Sequence, residues 1–192
     1  PRPEDWPARR PQPGPARFDL IIRGGTVVDG TGAPRYQADV AIAGGSIARV
    51  GDLGDARAER EIDARGLFVA PGFINIHSHA TRDGVVTAGN MLTQGVTTEI
   101  LNAHGAGLLD LGDQLTSATE RGLAVNVGAN IGFNSVWTEV VGQSDRRPTA
   151  AEVERMRGLV AAGLTAGAWG VSGGLDYKPA YYAQTEDVVR VL

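Results

Sequence analysis

From Phe18 onward the apolar positions fall in short runs punctuated by glycine pairs. FDLIIRGGTVVDG (18–30) predicts a strand, a Gly24-Gly25 turn and a second strand, and ADVAIAGGSIARVG (38–51) repeats the device around Gly44-Gly45. With the extended stretch EIDARGLFVAPG, these segments predict a small antiparallel sheet over residues 18–70. From about residue 71 the pattern changes to alternating strand and helix. Strands are predicted at Phe73–His77, Val96–Ala103, Leu123–Ile131 and Ala168–Leu175. Between the last two, Thr149 and Glu152 form a capping-box pair ahead of an apolar face of Val153, Met156, Leu159 and Val160, with Gly163 as the stop signal. A last helix starts at Thr185. Repeated strand–helix units imply a parallel sheet, where ligands gather at the C-terminal strand ends. Four such units cannot close an eight-stranded barrel, so the sequence reads as the N-terminal part of a longer polypeptide.

Residues 1–17 carry no hydrophobic period and are rich in Pro and Arg. They read as an extended arm, ordered through Trp6 if at all. The net charge of −4 comes with no basic stripe, which disfavours nucleic acid as a partner. No apolar run approaches the ~18 residues of a membrane span. Zero cysteine removes disulfides and thiolate ligands, so a metal would be held by nitrogen and oxygen donors. The compartment stays open, cytoplasm being slightly favoured over export through a removed signal.

The chain has 3 histidines, His77, His79 and His104, each placed where a predicted strand ends. His77 and His79 are two residues apart on a predicted strand, so both imidazoles face one side and can share a divalent ion, zinc first among candidates. By the same alternation, Thr98, Ile100, Asn102 and His104 share a face of the second strand, which aims His104 at the same cavity. Lys178 is the sole lysine among 18 basic residues and stands in the apolar, tyrosine-rich run GLDYKPAYYA. Its amine can lose a proton when desolvated and add carbon dioxide to give a metal-binding carbamate. A lysine snorkelling from a strand end is the plain alternative. Glu99 reads either as a carboxylate supporting a metal ligand or as one arm of a helix-facing salt bridge.

The segments FDLIIRGGTVVDGTGAP, EIDARGLFVAPGFINIHSHA, GVTTEILNAHGAG and GVSGGLDYKPAYYAQTED resemble the amidohydrolase superfamily, nearest its N-acyl-D-amino-acid deacylase branch. The resemblance runs from about Phe18 to the end. It implies an α/β fold, the first half of a metal-dependent (β/α)8 TIM-like barrel over 71–192, preceded by part of a small β-sandwich over 18–70. It further implies one or two divalent ions, most simply zinc, with His77 and His79 as ligands. Lys178 falls near the place of a carboxylated, metal-bridging lysine in related branches. His104 stands where the deacylases place a cysteine ligand, as an alternative metal ligand or a substrate contact. Asn102, Tyr177 and Tyr182 are candidates for substrate binding, and Phe133 replaces a histidine often found after the third strand. The implied activity is hydrolysis of a C–N amide bond in a small-molecule substrate. The catalytic aspartate and remaining ligands would come from a companion chain or a C-terminal half. The alternatives are a cyclic amide, imide or dipeptide hydrolase, and a non-catalytic metal-binding or assembly protein.

Overall fold

The computed structural model describes residues 17–192, and the chain divides between Pro71 and Gly72 into two compact units. The arm read over 1–17, Trp6 included, lies outside the described residues except for Arg17.

The first unit is a single five-stranded sheet. Its strands are β1 (Phe18–Val27), β2 (Tyr36–Ala43), β3 (Ser46–Gly51), β4 (Ala58–Asp63) and β5 (Phe68–Val69). The order is β3-β2-β1-β4, with β5 also on β1. The Gly44-Gly45 hairpin forms as predicted, both glycines having positive φ. Gly24-Gly25 does not turn the chain. β1 runs straight through it, and its register against β2 shifts between Ile22 and Gly25. Gly24, at φ 65°, donates its N–H to Asp39 Oδ1 at 2.7 Å, beside an ionic knot of Arg23 with Asp39 and Glu61. The glycine pair is therefore a bulge, anchored from the neighbouring strand, rather than a turn. One extra residue flips the alternation, so Ile22 and Val27 pack into the same cluster although their parity differs. β1 pairs in parallel with both β4 and β5, which makes the sheet mixed and not the antiparallel one predicted.

The second unit carries β6 (Phe73–Asn75), α1 (Arg82–Thr87), α2 (Gly89–Leu92), β7 (Val96–Leu101), α3 (Leu111–Glu120), β8 (Asn126–Ala129), β9 (Ile131–Gly132), α4 (Phe133–Val140), α5 (Ala150–Thr165), β10 (Val171–Ser172) and α6 (Thr185–Val191). Every strand pair in it is parallel: β6-β7-β8 in one sheet and β9-β10 in another, with Asn130 alone between β8 and β9. This is the α/β class expected. Ile131, Phe133, Val136, Trp137, Met156 and Val160 form the larger core, and Val85, Leu101, Leu111 and Ala129 a second one.

α5 has its predicted capping box, with Thr149 N–H donating to Glu152 Oε2 at 2.8 Å and Thr149 Oγ1 accepting from the Glu152 N–H. Gly163 does not stop this helix, which continues to Thr165. A Cβ on Gly163 would come 2.9 Å from Cβ of Ile131, so the glycine is there for close approach to β9. The strands are shorter than predicted. β6 stops at Asn75, two residues before His77, and β7 stops at Leu101, three before His104.

Candidate metal centre

Because β6 ends early, strand alternation does not place the two histidines of the HSH run. Hydrogen bonds do. The N–H of His77 donates to Asn75 Oδ1 at 3.2 Å, that of Ser78 to the Ile100 carbonyl at 3.1 Å, and that of Ala80 to Ser78 Oγ at 3.0 Å. Ser78 is buried, so the residue between the histidines is the anchor and the two imidazoles flank it.

His104 reaches the same place by another route. β7 has ended, and Asn102 and His104 both adopt left-handed backbone, at φ 64° and 57°. Such φ values are uncommon for residues other than glycine and persist where surroundings over-determine them. Here Ser172 on β10 brackets the turn, donating to the Asn102 carbonyl at 2.5 Å and accepting from the Gly105 N–H at 3.0 Å. The Tyr177 hydroxyl donates to the His104 carbonyl. The backbone is also tightly packed, since a Cβ on Gly132 would lie 2.2 Å from the Gly105 oxygen. The predicted alternation of Thr98, Ile100, Asn102 and His104 on one face therefore fails beyond Leu101, although His104 still joins the other two histidines.

The three rings converge. His77 Nε2 and His104 Nε2 are 2.6 Å apart, and one nitrogen from each of the three histidines lies within 4.8 Å of the others. Two nitrogens on one tetrahedral zinc at 2.0–2.1 Å stand about 3.4 Å apart, so sharing an ion would take ring rotations that open the 2.6 Å pair and close the wider ones. The His77 and His104 nitrogens are at hydrogen-bond distance, with donor and acceptor set by the ring tautomers. An all-nitrogen set of imidazoles suits zinc and related divalent ions.

His77 and His79 also line a cavity of about 400 Å³ with Asn75, Ser78, Asn90, Met91 and Glu99. Glu99 is 1% exposed. Its Oε2 accepts from Asn75 Nδ2 at 2.9 Å, while Oε1 has no hydrogen-bond partner among the described residues. No salt bridge of Glu99 occurs among those residues, so the helix-facing ion pair weighed from the sequence is not what holds it. Asn75 was not singled out in the sequence; the only signal was its place opposite Glu99 in the β6–β7 register.

The other candidates do not line that cavity. Lys178 sets its ammonium 5.5 Å from the centre of the Tyr182 ring and does not line the cavity. Its interaction with the Tyr182 side chain raises its pKa above the usual lysine value. Asn102 spends its amide on Gln114, bonded reciprocally at 3.0 Å, and on the Asn130 carbonyl at 2.9 Å. Tyr177 holds the His104 turn, and burial pushes its phenol pKa up. Phe133 is buried in the larger core at the start of α4.

Comparison with known proteins extends this picture. No family model matches the chain. It is 37% identical over 204 residues to an N-acyl-D-aspartate deacylase of Alcaligenes xylosoxydans xylosoxydans, covering 92% of this chain and 41% of that protein. A D-aminoacylase studied for its binuclear metal centre superposes with a TM-score of 0.79 at 34% identity, over 91% of this chain and 42% of the other. An N-acyl-D-glutamate deacylase from Bordetella bronchiseptica, complexed with zinc and a phosphonate mimic of the tetrahedral intermediate, gives 0.79 at 31% identity over the same shares. The chain thus spans about two-fifths of the relatives it matches.

Proposed function

We propose, on the premise that this chain belongs to the amidohydrolase superfamily in its D-aminoacylase-like branch, that it supplies the histidine part of a metal centre for hydrolysing N-acyl-D-amino acids. The observation that carries the proposal is the convergence of His77, His79 and His104 from two strand ends onto one point. A divalent ion bound there would polarise the amide carbonyl and lower the pKa of a water molecule. Neutral imidazoles present the lone pairs, and the bonds of Asn75, Ser78, Ser172 and Tyr177 hold the segments that carry them. His77, His79 and His104 would hold the ion from this chain's side. A carboxylate to carry the proton to the leaving amine, and any further ligand, belong in this proposal to a companion chain or to sequence beyond these residues. Lys178 sets its ammonium against the Tyr182 ring, so the proposed centre rests on the three histidines within this chain.

The test is zinc content and amine release by the full-length protein on matched N-acetyl-D- and N-acetyl-L-amino acids. Zinc-dependent release from the D series, lost together with metal in His77→Ala and His79→Ala, is expected. Zinc binding that survives both substitutions would overturn the proposal.

A further inference from the structure

Glu99 and Asn75 sit opposite each other across β6 and β7, and they connect to the histidines in one line. Asn75 Nδ2 donates to Glu99 Oε2 at 2.9 Å, and Asn75 Oδ1 accepts from the backbone N–H of His77 at 3.2 Å. The amide thus links a buried carboxylate to the backbone of a metal-site histidine. Accepting one amide hydrogen bond does not require a carboxylate; glutamine would do it without burying a charge. Burying a carboxylate oxygen without a partner is costly. The oxygen so placed, Oε1, belongs to a side chain lining the same cavity as His77 and His79. A group that costs stability and faces a functional cavity has its compensation in what the cavity holds.

Resting on the metal-centre reading above, we propose that Glu99 is the positioning residue of this centre. Through Asn75 it fixes the backbone of His77. Through Oε1 it is the acceptor for an imidazole N–H turned into the cavity once the opposite ring nitrogen faces a cation. A carboxylate in that role fixes the ring tautomer and makes the ligating nitrogen more basic. Glu99 touches neither substrate nor ion in this arrangement; it acts through the imidazoles.

The proposal separates stability from metal affinity, which a purely structural role would move together. In the full-length protein, Glu99→Gln keeps the shape and an acceptor for Asn75 but removes the charge. Zinc affinity, read by competition with a chromogenic chelator, is expected to fall about 10- to 100-fold, while the metal-free protein melts at the same temperature or higher. Asn75→Ala, at a half-buried position, is the second variant. It is expected to lower zinc affinity at least tenfold and decides the matter if Glu99→Gln does not fold. Zinc affinity within twofold of the parent in either folded variant overturns the proposal. So does a fall in Glu99→Gln accompanied by an equivalent loss of metal-free stability. A parent protein that binds no zinc through His77 and His79 overturns the metal-centre reading itself, a result distinct from both.

Discussion

His77 and His104 bring their Nε2 atoms to 2.6 Å although 27 positions separate them in the chain. Neither belongs to a strand; each follows one by two or three residues, held by side-chain bonds to the turn that carries it. The site is therefore as stable as those turns, and variants in the turns should read out on metal affinity.

His104→Ala should lower zinc affinity by tenfold or more, because it removes one of three nitrogens. His104→Cys should recover binding and shift preference towards cadmium, since thiolate is the softer donor. Competition titration of both variants with zinc and cadmium checks this. If His104→Ala binds zinc like the parent, His104 is only a neighbour of the site.

Ser172→Ala removes both bonds that bracket the His104 turn, leaving the Gly105 N–H and the Asn102 carbonyl short of partners. Each such loss in a part-buried place costs about 1–3 kcal/mol. Urea unfolding should show a destabilisation of that order, and zinc affinity should fall with it as the left-handed turn relaxes. A variant as stable as the parent would mean that the glycine packing alone holds the turn.

Lys178→Arg separates two readings of the sole lysine. Guanidinium can sit over the Tyr182 ring but can neither form a carbamate nor coordinate a metal. With the ammonium facing Tyr182, zinc per chain should stay the same and stability should shift by no more than about 0.5 kcal/mol. Loss of a zinc equivalent, measured by elemental analysis, would return Lys178 to the metal.

The sequence carried the outline of this structure because its signals were local. The capping box at Thr149, the Gly44-Gly45 turn and the parallel grammar after residue 71 depend on neighbours a few residues away. The failures were all decided from a distance. Gly24-Gly25 became a bulge because Asp39, on the next strand, takes the Gly24 N–H. Gly163 stayed helical because Ile131 needs the space a side chain would fill. The histidine cluster was legible in residue type, since all three histidines were singled out, but for a reason that does not hold beyond the strand ends. Glu99 was weighed without a decision, for its partner Asn75 is recognisable only once β6 and β7 are in register.

The capping box of α5 also makes a statement about pH. Arg146 grips both oxygens of Glu152, at 2.6 and 2.9 Å, and the Thr149 N–H adds a third bond. Together, the guanidinium first, they pull the Glu152 carboxyl from 4.5 down to about 2. A carboxyl with a lower pKa folded than unfolded stabilises the fold in full above about 4.5, and that contribution drains away as pH falls towards 2. The group is half-buried and its partner Arg146 stands in solvent, so salt should weaken the effect. The measurement is the difference in melting temperature between the parent and Glu152→Gln, followed from pH 7 down to about pH 2.5 at low and high salt. At low salt the parent should melt higher at pH 7, and the gap should narrow steadily through the acid range. Taking the difference cancels carboxylates that both proteins share. A gap that stays constant from neutral to acid pH would show that the charge on Glu152 is not what holds the start of α5, leaving the neutral Thr149 hydroxyl to account for the cap.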